Sequence, residues 1–124
     1  MNEVVLSRLP HTWLIDVDGT IVKHNGHKGH GDELLPGVKR LWNSIAAEDV
    51  IVLLSARTSE EMEPTLAFLS QHGLRYNHVL FGLPTGERIL INDDKPGGLK
   101  TAIAINLPRD HGPQDLTLLI DTKL

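Results

Sequence analysis

Val50-Ile51-Val52-Leu53-Leu54 carries no polar side chain. A strand so uniformly apolar must be covered on both faces, as strands inside a parallel sheet are. Other short apolar runs stand around it: Thr12-Trp13-Leu14-Ile15, His78-Val79-Leu80-Phe81, Arg88-Ile89-Leu90-Ile91 and Thr101-Ala102-Ile103-Ala104-Ile105. Helical patterns lie between them. Val38, Leu41, Trp42 and Ile45 recur on one helical face, within a helix predicted over 37–47 and introduced by Pro36-Gly37. A second helix is predicted from Thr58-Ser59-Glu60-Glu61, a capping-box spacing. Pro64 belongs near its first turn, Met62, Leu66 and Leu69 form its buried stripe, and Gly73-Leu74 stops it. Strands alternating with helices predict an α/β domain with a mostly parallel sheet. The whole chain, 1–124, suits one such domain.

Composition removes several kinds of chemistry. There is no cysteine, so disulfides, thiol nucleophiles and Cys-ligated zinc are excluded. A net charge of −4 and 4% aromatic residues argue against nucleic acid as the main partner. No apolar run is long enough for a transmembrane helix, and Met1-Asn2-Glu3-Val4 lacks the basic and apolar regions of a signal peptide. A cytoplasmic protein without membrane contact is therefore expected.

In parallel sheets ligands gather beyond the carboxyl ends of the strands. After the first run comes Asp16-Val17-Asp18-Gly19-Thr20. Residues two apart in a strand share a face, so the two carboxylates converge, and they repel unless a cation or proton lies between them. An ordinary Asp-Gly turn is the alternative. A calcium loop fits poorly, because its sixth and twelfth positions are Ile21 and His27. After the second run comes Ser55-Ala56-Arg57-Thr58, a hydroxyl placed either to bind an anion or simply to cap the next helix. After the fourth comes Asn92-Asp93-Asp94-Lys95-Pro96, an acidic pair or a solvated turn. Meeting at one sheet edge, these groups would select a hard cation, most simply Mg²⁺.

These segments resemble the haloacid dehalogenase (HAD) phosphohydrolases over roughly residues 11–107. Asp16-Val17-Asp18-Gly19-Thr20 matches the family's first motif, Ser55 its second, and Asp93-Asp94 its fourth. The resemblance implies a three-layer Rossmann-like core. It makes Asp16 the nucleophile that forms an aspartyl-phosphate, Asp18 the general acid and base, and Ser55 a ligand of a phosphoryl oxygen. Gly19, Thr20, Ala56 and Arg57 would contact substrate, and Asp16, Asp18 and Asp93 or Asp94 would hold Mg²⁺. The family's third motif is a Lys or Arg, yet residues 56–92 contain no lysine, and the place of a common Lys-Pro reads Gly82-Leu83-Pro84. Lys95 is the expected substitute, with Arg57, Arg75 and Arg88 the other cations available.

No stretch is long enough for a cap domain. What remains is a flap, roughly 19–34, in which His24, His27 and His30 stand among glycines. Imidazoles suit Zn or Ni, but glycine gives no rigid frame, so these histidines are expected to face substrate or solvent. His72 and His78 are expected to be structural. In the tail, roughly 108–124, Leu116, Leu118, Leu119 and Ile120 fit either a helix or a strand and need cover, on the domain or on a second subunit. The wording of 86–100 resembles small HAD proteins of bacterial surface-polysaccharide synthesis, which implies a sugar-type phosphate as substrate. The expected activity is a Mg²⁺-dependent phosphomonoesterase. A phosphotransferase of the same mechanism and a non-catalytic HAD-like binding module are the alternatives.

Overall fold

A computed structural model of the chain describes residues 2–29 and 31–124. Thr12–Asp16 (β2), Val50–Leu54 (β3) and His78–Leu80 (β4) form a parallel sheet in the order β2-β3-β4. Asn2–Leu6 (β1) and Leu116–Ile120 (β5) form a second, two-stranded parallel sheet. Two helices, Val38–Ser44 (α1) and Met62–Gln71 (α2), occupy the two crossovers of the larger sheet. The fold is thus α/β with parallel strand pairing.

The apolar run at 50–54 is the central strand, as its composition requires. Ile51 and Leu53 are fully buried. They pack with Ile15 and Val17, with Val38, Trp42 and Ile45, and with Leu69 and Leu74. Ile21, Val22 and Leu35 complete the same core, so both ends of the flap are anchored in it.

Helix α1 begins after Gly37, whose φ of 86° favours glycine. A Cβ there would also collide with the Gln114 backbone. The helix ends before 47, because Ile45 turns extended to reach the core. Thr58 forms the expected capping box with Glu61, but the turn it opens, Ser59–Glu61, is a 3₁₀ turn that leads into α2. Pro64 is the third residue of α2, where no intrahelical donor is required. Thr65 and Leu69 are buried, whereas Met62 is exposed.

Two expected strands are not formed. Residues 88–91 and 101–105 have no ladder partner, and Ile89 and Ile91 are 83% and 90% exposed. Segments 86–90 and 103–107 face the free edge of β2 across a gap of about 780 Å³. Composition says that a run would suit a strand; whether an edge accepts it is decided by packing. The tail resolves as a strand, paired with an amino-terminal strand that its few residues did not announce.

Candidate functional site

The register of the larger sheet aligns its strand ends. Asp16 pairs with Leu54, and Leu54 with Leu80. Val17 N donates to Leu54 O at 3.0 Å and Ser55 N to Leu80 O at 2.9 Å. Segments 16–20, 55–58 and 81–85 therefore leave the sheet together. They border a cleft of about 460 Å³ lined by Asp16, Asp18, Ala56, Arg57 and Arg88, among others.

Asp16 is held at both carboxylate oxygens. Thr20 Oγ1 donates to Oδ2 at 3.0 Å, and Arg88 Nη1 to Oδ1 at 3.0 Å. The chain turns after Asp18 because Gly19, at φ 81°, adopts a left-handed conformation. A Cβ on Gly19 would lie 3.3 Å from the Arg109 side chain.

Asp18 is held by Arg57. The guanidinium reaches Asp18 through Nε and Nη2 at 2.8–3.2 Å and Asp32 through Nη1 and Nη2 at 3.0 and 2.8 Å. Nη1 also donates to Thr65 Oγ1. The Arg57 side chain is only 2% exposed and that of Asp32 9%. Burial works to lower the Arg57 pKa, but the bonds from Asp32 and Asp18 outweigh it, and the net displacement is upward. Arg57 thus stays charged, and its planar fork fixes two carboxylates at once.

Ser55 is fully buried, and its Oγ accepts from Arg57 N at 3.0 Å. That bond shapes the turn that presents Arg57, and Ser55 is not among the residues lining the cleft. Lys95, expected at Asp16, lies instead in an exposed turn in which Gly98 N donates to Lys95 O. Arg88 takes the place at Asp16. Asp94 pairs with Lys100 at 2.8 Å, and the Asp93 carbonyl accepts from Thr101. Among the described residues no group of three or more His, Asp or Glu side chains is placed to hold a metal ion. Arg88 and Arg57 provide the countercharges at Asp16 and Asp18.

Sequence reasoning passed over three contributors. Asp32 gave no motif signal. Arg109 and Asp110 lie in a tail without a recognisable pattern, yet Asp110 N donates to Gly19 O at 2.9 Å and its Oδ1 accepts from His24 N at 2.7 Å. The only prior sign was the Asp-His-Gly-Pro turn composition. His24 lines the cleft, while His30 lies outside the described residues. Residues 26–28 form a 3₁₀ turn.

A second acid cluster stands before β3 and is structural. Asp49 accepts from His11 N and Trp13 Nε1, each at 3.0 Å, and lies 3.4 Å from His11 Nδ1. Burial works to raise the Asp49 pKa, but these donors prevail and hold it below its ordinary value. No helix among the described residues is long and apolar enough to cross a membrane. Comparisons with protein-family models, curated proteins and solved structures return no match to this chain.

Proposed function

We propose that this protein is a phosphomonoesterase of the HAD type, with a three-layer capless core, acting on a small, sugar-type phosphate. The observation that carries the reading is the Asp16-Val17-Asp18-Gly19-Thr20 turn. Its two carboxylates border one cleft at the carboxyl edge of a parallel sheet, each held by an arginine. In this reading Asp16 attacks phosphorus as the alkoxide leaves, Asp18 gives that oxygen a proton, and a phosphoryl group remains on Asp16. Asp18 then takes a proton from water as it attacks the aspartyl-phosphate, releasing inorganic phosphate and restoring Asp16. A carboxylate and a phosphate repel, so the approach requires positive charge, and Arg88 supplies it at Asp16. Arg57 fixes Asp18.

The resemblance adds Mg²⁺. Its expected ligands 93–94 form no metal-holding group with Asp16 among the described residues, so an ion there requires the 93–94 pair to come to Asp16 from beyond Arg88, which already touches it. That arrangement is also what favours the second reading, a binding module that has kept the fold without turnover. A screen over sugar phosphates and nucleotides, with and without Mg²⁺, separates the two. Phosphate release by the wild type and its loss in Asp16→Asn supports the esterase. Tight binding of a phosphate ester that both proteins leave intact supports the module. Added alcohol acceptors in the same assay distinguish transfer from hydrolysis.

A further inference from the structure

Not every cation lining the cleft is committed to a carboxylate. Arg57 pairs with Asp18 and Asp32, and Arg88 pairs with Asp16, where the phosphoryl group would react. Two more cations line the same cleft, Lys28 from the flap turn and Arg109 from the tail. Neither has a carboxylate within ion-pair distance among the described residues. The remaining acid of the lining, Glu61, is turned toward Thr58, accepting from its N at 3.0 Å and its Oγ1 at 2.9 Å.

Arg109 is placed beside Asp18, and Lys28 is carried by the 26–28 turn of the flap. The Arg109 stem abuts Gly19, the residue after Asp18. Its neighbour Asp110 binds Gly19 O and His24 N, tying the tail to the start of the flap that carries Lys28. Two unpaired cations from separate segments in one cleft are arranged to receive an anion that neither could bind as well alone.

We propose that Lys28 and Arg109 form a subsite for a second anionic group, so that the substrate is a phosphate ester bearing another phosphate or a carboxylate. The proposal rests on the phosphomonoesterase reading. It predicts a selectivity that the ester alone does not provide.

Kinetics with three probes test it: fructose 6-phosphate, fructose 1,6-bisphosphate and 6-phosphogluconate. The wild type should favour at least one of the two doubly anionic probes in kcat/KM by about tenfold or more. Preference for the bisphosphate identifies a phosphate subsite, and preference for the sugar acid a carboxylate subsite. Lys28→Ala and Arg109→Ala should each collapse that ratio, Arg109→Lys should restore much of it, and Lys123→Ala, at an exposed site away from the cleft, should leave it intact. Equal kcat/KM for all three probes, with turnover still dependent on Asp16, overturns the subsite and leaves the esterase standing. If no probe is turned over, the esterase reading falls and calorimetric titration decides the subsite. Tighter binding of a doubly anionic probe, lost in Lys28→Ala, upholds it, and equal affinities overturn it.

Discussion

Arg57 is the residue on which the site's geometry turns. It sits between two carboxylates from opposite ends of the flap and joins both to the strand end that follows β3. Removing a buried partner leaves the remaining charges uncompensated, which typically costs about 3–5 kcal/mol. Arg57→Ala should therefore lower the urea midpoint by a corresponding amount, and Arg57→Lys should rescue little, because an ammonium cannot bridge both acids with the same fork. A midpoint within error of the wild type would show that the triad is not structural. Arg88 makes a different kind of contact. Its pair with Asp16 is about one-third exposed on both sides, so its contribution to stability is small. Its contribution to turnover should be larger. Arg88→Ala is expected to cost about 2–4 kcal/mol of transition-state stabilisation, whereas Lys95→Ala, in its exposed turn, should cost little. The reverse order in kcat/KM would return the role to Lys95.

At the scale of elements, the sheet was legible where burial alone decides structure. The purely apolar 50–54 run had to be a covered central strand, and the Val38-Leu41-Trp42-Ile45 face had to meet it. The 16–20 turn was legible because Asp and Gly after an apolar strand let the chain reverse, and Gly19 takes the left-handed conformation that such a turn needs. What the sequence concealed depended on long-range partners. Arg57 looked like a substrate ligand because its second acid, Asp32, lies 25 residues earlier in a featureless flap. Runs 88–91 and 101–105 have strand composition, but a ladder also needs an accepting edge. The tail left helix and strand equally open until its pairing with β1 chose between them. Before β3, the Asp49 cluster joins two strand starts by His11 and Trp13. Its folded pKa lies below the ordinary 3.8, so its stabilisation is present above that value and disappears as pH falls through the lower folded value. Asp49→Asn should cost about 2 kcal/mol at neutral pH and flatten the acid limb of the stability curve. An unchanged acid limb in pH-dependent urea unfolding would place the sensitive carboxylates elsewhere.

At the scale of the whole molecule, four separate stretches of chain meet at one sheet edge: the flap with its flanking Asp16, Asp18 and Asp32, then 55–58, 85–88 and 109–110. The acidic pair 93–94, like Lys95, is a part of the expected site that does not line this cleft. If it joins Asp16 during turnover, EDTA should abolish activity, Mg²⁺ should restore it, and joint Asp93→Asn and Asp94→Asn replacement should remove the Mg²⁺ response. Full activity in EDTA would leave Arg88 as the cation at Asp16. The central claim, that Asp16 is the nucleophile, has a more direct test. The protein is quenched in acid during turnover of a phosphate ester, and its peptides are weighed by mass spectrometry. One phosphoryl group should appear on the peptide containing Asp16, with fragmentation assigning it to that carboxylate, and Asp16→Asn should show neither label nor turnover. A phosphoryl group on a different side chain, or wild-type turnover by Asp16→Asn, would contradict the account.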